Sequence, residues 1–285
     1  MPSVWEQISD NVSLVTLPDV YLRLKAVLDD PNSCMADVAD VVGNDPALTA
    51  RLLRIVNSAY FGLAAEIDTV NRAVNLLGTQ EVHDLVLAVS VAHSFAGVSP
   101  KTMDVQRFWR RSVFCAVAAR ELAGLCNVLD ADRLFVGGLL SDIGHLFLYE
   151  YAGEKTEQAA VLAAAQGVPL FKAERAVLGV DYAQVGAELM RRWRLPQTLW
   201  EPIEAHPEPG RSHEFALSTS VVHIASLIAA ACDRGDNVDD ALAAAANSAW
   251  HTTGLSIDAS VAIVPNVERQ VGEVAEMFFP GHKAA

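Results

Sequence analysis

Asn44-Asp45-Pro46-Ala47-Leu48-Thr49-Ala50-Arg51-Leu52-Leu53-Arg54-Ile55-Val56-Asn57-Ser58-Ala59 reads as one helix with a marked start. Asp45 is placed to cap the first turn, and Pro46 stands at the first helical position, where its missing N–H costs nothing. Leu48, Leu52, Ile55 and Ala59 recur at helical spacing and form the buried stripe, and Tyr60-Phe61-Gly62 closes the segment. The same periodicity extends in both directions. Upstream, Val20, Leu24, Val27 and Leu28 share a face until Asp30-Pro31, and Met35, Val38 and Val42 mark a short helix that Gly43 ends. Downstream, helices are expected from about Asp68 to Leu77, stopped by Gly78, and from about Gln80 to Phe95.

Gly97 to Lys101 interrupts two long helical patterns and is the expected boundary between an N-terminal helical subdomain (1–98) and a second one (99–285). Beyond it Phe108, Ser112, Cys115, Ala119, Leu122 and Cys126 lie on one face of a long helix. Further helices are expected over 131–151, 154–166, 170–178, 181–193, 196–205, 214–233 and 238–252, with a last one from about Val267 to Phe279. Alternating strand patterns are nearly absent, so the fold class is all-α.

Composition limits the function classes. Of the 285 residues 52% are hydrophobic and 20% charged, which describes a folded chain and not a disordered one. The apolar stretches are broken by charges or His before the roughly 18 residues of a membrane span, so no membrane partner is expected. No basic start precedes an apolar run, and Cys34, Cys115, Cys126 and Cys232 form no CxxC pair, which suits a reduced cytoplasm and no structural zinc. A net charge of −14 repels nucleic acid and turns attention to a protein or small-molecule partner. Residues 33–60 do suggest a helix-turn-helix with Arg51, Arg54 and Asn57 on its second helix. Yet Asp37, Asp40 and Asp45 outweigh the two arginines there by one charge (2 − 3 = −1), so direct DNA binding is disfavoured.

Two stretches carry more than generic helix. The first is the run from Asn44 to Ala59, followed by Ala73-Val74-Asn75-Leu76-Leu77-Gly78. The second is Phe108-Trp109-Arg110-Arg111-Ser112, followed by Gly137-Gly138-Leu139-Leu140-Ser141-Asp142-Ile143-Gly144-His145-Leu146. In this order they resemble the HDOD family, the HD-related output domains of bacterial signal transduction, over roughly residues 14–230. The resemblance implies an N-terminal helical bundle joined to an HD-like bundle, and a relationship to the HD metal phosphohydrolases. Those enzymes hold one or two divalent metals with a His, an adjacent His-Asp and a later Asp, and the metal activates water for attack on phosphorus.

Carried onto this chain by that resemblance, the first His position falls at Arg111 and the His-Asp pair at Ser141-Asp142. A further His falls at Tyr182, a His-His pair at His206-Pro207, and the last Asp at Ser226, near His223. Arginine stays protonated and offers no lone pair to a metal, and Ser and Tyr hydroxyls replace imidazole poorly. One carboxylate and a distant His leave too few ligands, so neither metal, cofactor nor catalytic residue is expected. Two placements stay open for Arg111: a buried pair with Asp142 in which its guanidinium supplies the missing cation, or a position along the surface. His145 stands where hydrolase relatives often carry Lys, and reads either as bordering the old pocket or as a helix-surface residue. The ligand-pocket candidates are thus Arg111, Ser141, Asp142, His145, Tyr182, His206, His223 and Ser226.

His83-Asp84 also spells the dipeptide, but neighbours on a helix point about 100° apart, and a partly exposed helix residue is the expectation. Asn57, Ser58 and Tyr60 read as a cap or turn that could fix the two halves of the chain. The expected function is a non-catalytic, cytoplasmic regulatory module acting on its own, which binds a protein partner or a small ligand, with a nucleotide as one candidate. The alternatives are a residual metal-dependent phosphohydrolase or phosphodiesterase, and a DNA-binding regulator.

Overall fold

The computed structural model describes residues 17–279 apart from 59, 62, 64, 96, 97, 99, 101 and 129. Every regular element among the described residues is helical, as the periodicity requires. Contacts between Cα atoms divide the described residues into two compact units: 17–95 with 269–279, and 98–268. The sequence reading had placed everything beyond 98 in one subdomain; the contacts group the residues from Arg269 onward with the smaller unit.

The smaller unit contains α1 (Asp19–Asp29), α2 (Met35–Gly43), α3 (Pro46–Val56), α4 (Val70–Leu77) and α5 (Thr79–Ser94). Helix α3 starts as its sequence dictates: the Asp45 carboxylate accepts the Leu48 N–H at 2.9 Å, with Pro46 at the first turn. Leu48, Leu52 and Ile55 are buried as expected, whereas Ala59 lies outside the described residues. The Asn57 side chain clamps the Ile67 backbone in both directions, accepting its N–H at 2.6 Å and donating to its carbonyl at 2.7 Å. Helix α5 is buried on nearly all sides from Val82 to Ala92, and α1, α3 and α4 pack against it.

In the larger unit α6 (Val105–Leu125) and α12 (Ala216–Arg234) form the centre. Around them lie α7 (Ala131–Leu140), α8 (Gly144–Gln166), α9 (Leu170–Leu178), α10 (Tyr182–Arg192) and α11 (Gln197–Ala205). Shorter helices follow: α13 (Val238–Ala243), α14 (Asn247–Thr253) and α15 (Ile257–Val261); α16 (Val264–Phe278) begins in this unit and from Arg269 belongs to the smaller one. By length and hydropathy alone α12 resembles a membrane span. Here it is a core helix, packed by α6, α7, α11, α13 and α14.

Two element boundaries differ from expectation. The segment read as one helix over 131–151 breaks at Ser141-Asp142-Ile143, and α8 instead runs through 152–154 with a kink at Ala152 (φ −139°, ψ 30°). The stretch 238–252 is two helices, because the chain leaves helical geometry at Ala246 (φ −62°, ψ 130°).

Two glycines set how closely the helices around that first break approach. A Cβ on Gly138 would stand 2.7 Å from the Cys115 carbonyl, so α7 meets α6 backbone to backbone. A Cβ on Gly144 would stand 1.9 Å from the Tyr182 carbonyl, so the first turn of α8 abuts the first turn of α10. Leu and Val neighbours could not allow either approach; only a hydrogen fits there.

Candidate functional site

The contact at Gly138 places the end of α7 one turn from Arg111 on α6. There the Arg111 Nη2 donates to Asp142 Oδ2 at 2.5 Å. Of the two placements open to Arg111 the structure has the pair, with side-chain exposures of 27% for Arg111 and 15% for Asp142. Burial alone would raise the Asp142 pKa, but the Arg111 guanidinium, with His145 and His206 nearby, holds the carboxyl below the usual carboxylate range. Asp142 in turn raises the Arg111 pKa. At neutral pH the pair is ionic.

Ser141 occupies the final turn of α7 and donates its hydroxyl to the Gly138 carbonyl at 2.9 Å, with Cys115 Sγ 3.7 Å away. Its oxygen is committed to its own helix. Burial pushes the Cys115 thiol up to about 12, so this sulfur is not a thiolate at neutral pH.

Tyr182 and His206 form the second part of the site. The Ile203 carbonyl at 2.7 Å can only accept, so His206 Nδ1 carries the proton. Burial lowers the His206 pKa, which favours the neutral ring, and Nε2 then accepts from the Tyr182 hydroxyl at 2.9 Å. Burial first, then Asp142 and Glu174, raise the Tyr182 pKa well above its ordinary value, so the phenol keeps the proton it donates. The nitrogen that a metal would use is therefore occupied.

His145 is not a helix-surface residue. It is 5% exposed, stacks on Tyr182 (ring centroids 4.1 Å apart, planes 16° apart) and places Nε2 3.1 Å from Glu174 Oε1. The other oxygen of Glu174 accepts the Tyr182 N–H at 3.0 Å, so this fully buried carboxylate ties α8 to α10. Sequence reading missed Glu174. Its signal was present: Phe171, Glu174 and Leu178 share one buried stripe, and a carboxylate on such a stripe needs partners.

His223 and Ser226 play a different part. His223 Nδ1 donates to the His206 carbonyl at 2.7 Å and Nε2 accepts the Ala246 N–H at 3.2 Å, so the ring cross-links three segments. Burial brings its pKa down to about 4. Ser226 donates to the His223 carbonyl at 2.8 Å within its own helix and adds no group to the site.

These donors do not fit a divalent metal. The one carboxylate is engaged by a guanidinium whose charge opposes a second cation, His206 and His223 have both nitrogens in use, and Arg111 has no lone pair to give. Among the described residues no three His, Cys, Asp or Glu side chains converge as a ligand set.

His83-Asp84 likewise departs from expectation: both side chains are buried, His83 being 7% exposed. The Tyr21 hydroxyl is 2.9 Å from His83 Nε2, His83 Nδ1 is 2.8 Å from Asp84 Oδ1, and Gln80 donates to the same oxygen at 2.9 Å.

Comparison with known proteins identifies the family and similar folds. The family model for the HDOD domain matches residues 14–209. An HDOD domain protein of unknown function from Geobacter sulfurreducens is similar over 96% of this chain and 98% of its own, at 23% identity and a TM-score of 0.75. A protein of Shewanella amazonensis SB2B, named as a candidate phosphohydrolase, is similar over 96% of both chains, at 26% identity and a TM-score of 0.73. A Treponema pallidum protein named only as uncharacterized is 24% identical over 226 residues; the match spans 79% of this chain but only 43% of that protein.

Proposed function

This chain belongs to the HDOD family, and from that premise we propose that it is a non-catalytic regulatory module of bacterial signal transduction. In this reading it works in the cytoplasm by binding a protein partner or a small ligand. One observation carries the proposal: Arg111 sits 2.5 Å from Asp142, a cation supplied by the chain where the related hydrolases hold a metal. The hydroxyl of Tyr182 on His206 Nε2 supports it, since it removes the remaining imidazole from metal chemistry. A site closed in this way keeps the shape of the hydrolase scaffold without its activated water.

The second reading is a residual metal-dependent phosphohydrolase or phosphodiesterase. Its support is the similarity to the Shewanella protein of that candidate name. Elemental analysis of protein purified without chelators, together with an assay on bis(p-nitrophenyl) phosphate with added manganese or zinc, separates the two. The regulatory reading expects substoichiometric metal and no turnover. Near-stoichiometric metal with turnover that Asp142→Ala abolishes would establish the enzyme instead.

A further inference from the structure

The larger unit holds a pocket of about 290 Å³ beside the Arg111–Asp142 pair. Its wall includes Arg107, Arg111, His145, Tyr149, Asp233 and Arg234. Asp104 lines it too, and each of the three arginines also meets an aspartate, Arg107 with Asp233, Arg111 with Asp142 and Arg234 with Asp236. At one side Arg107 Nε lies 3.0 and 3.1 Å from the two Asp233 carboxylate oxygens, in an ion pair whose arginine is 55% exposed.

Two nitrogens of this wall are buried without a hydrogen-bond partner: Arg111 Nε and His145 Nδ1. A buried polar atom left unmatched is costly, so a group that satisfied both would be favoured on entering. Their chemistry says what the group is. Arg111 Nε–H can only donate, so it asks for an oxygen acceptor. Glu174 takes the proton on His145 Nε2, so His145 Nδ1 presents a lone pair that can accept from a hydroxyl. An oxyanion that also carries a hydroxyl satisfies both nitrogens, with the guanidinium N–H as a charge-assisted donor.

We propose that this pocket binds a small oxyanion, a phosphate or a carboxylate group, through Arg111 Nε and His145 Nδ1. The inference rests on the regulatory reading only in taking the site as one that binds without hydrolysing. It names the ligand class for that site. The pocket volume of about 290 Å³ accommodates the oxyanion. Both nitrogens are recessed from solvent, so entry requires part of the wall to move. Arg107, exposed and tethered to Asp233, is the wall residue placed to swing onto the incoming anion.

The test is calorimetric titration of the full chain with sodium phosphate and with sodium malonate, against sodium chloride at equal ionic strength. One anion per chain is expected to bind saturably, and the tighter of the two names the group. His145→Gln keeps a nitrogen donor for Glu174 but lacks Nδ1, and Arg111→Lys keeps a cation for Asp142 but lacks Nε. Each is expected to weaken binding about tenfold, the loss of one charge-assisted hydrogen bond. Arg107→Ala, an exposed position where folding is not at risk, is expected to weaken it about threefold and to reduce its salt dependence. No saturable binding of either anion, or binding unchanged in His145→Gln and Arg107→Ala, would overturn the proposal. Either outcome leaves the regulatory reading standing, whereas turnover of the phosphodiester would sink that reading without touching anion binding.

Discussion

Each unit contains a tyrosine hydroxyl 2.9 Å from a histidine Nε2: Tyr21 on His83 in the smaller, Tyr182 on His206 in the larger. The two differ at the other ring nitrogen. His83 Nδ1 meets the Asp84 carboxylate at 2.8 Å, and His206 Nδ1 meets the Ile203 carbonyl at 2.7 Å. A carboxylate can accept from a neutral or a charged ring and compensates the charge. A carbonyl acceptor offers only partial compensation, and burial then lowers the His206 pKa. In the larger unit the carboxylate that might have served, Asp142, faces Arg111 instead. The contrast teaches that spelling His-Asp is not a metal signature. What matters is which lone pairs remain, and neither unit leaves one on these rings.

The largest way to break this contrast is to remove the cation. Arg111→Ala leaves Asp142 without its partner, and the structure predicts a loss of about 3 kcal/mol in urea denaturation, the lower end for breaking a buried pair because both groups retain some exposure. An unchanged midpoint would mean the pair contributes nothing.

Acid sharpens the contrast. The His223 pKa is lowered from 6.5 to about 4 in the folded protein, and His206 shifts in the same direction. Their neutral forms are favoured on folding. The contribution is complete above the unfolded value, about 6.5, and is lost as pH falls from there toward about 4, where it levels off. For His223 this amounts to about 3 kcal/mol across the window. His223→Gln should flatten the acid limb of a stability–pH profile, and an unaltered limb would contradict the assignment.

Next comes the helix contact. Gly144→Ala places a methyl against the Tyr182 carbonyl, and overpacking should cost about 2 kcal/mol. It should also separate His145 from Tyr182, read as a change in the Tyr182 near-ultraviolet signal. The smallest effect compares the two tyrosines directly. Tyr182→Phe and Tyr21→Phe each remove one hydroxyl from a histidine, at about 1 kcal/mol. Neither should raise the affinity of the chain for added zinc, since one freed Nε2 is a single ligand and Arg111 still holds Asp142; a gain in Tyr182→Phe would contradict the closed site.

Much of the fold was legible because its signals are local. Asp45-Pro46 starts α3 and Gly78, at φ 91°, stands between α4 and α5. The break at Ser141-Asp142-Ile143 was not legible, since Ser141 and Ile143 stay in the right-handed helical region and the bend requires no Gly or Pro of its own. The site was legible only in part. Arg111 and Asp142 came from the family resemblance, with their pairing left open between two arrangements. His83 and His145 were expected nearer the surface, because a lone His carries no sequence mark of burial. Their partners Tyr21 and Glu174 lie 62 and 29 residues away.

That Arg111 and Asp142 act as one ion pair is tested most directly by a double-mutant cycle of Arg111→Ala and Asp142→Ala, read by urea denaturation. A coupled pair predicts that each single variant is destabilised and that the double variant recovers, with a coupling energy of about 2 kcal/mol. Additive losses would contradict it, since they would mean that Arg111 and Asp142 stand next to each other without acting on each other.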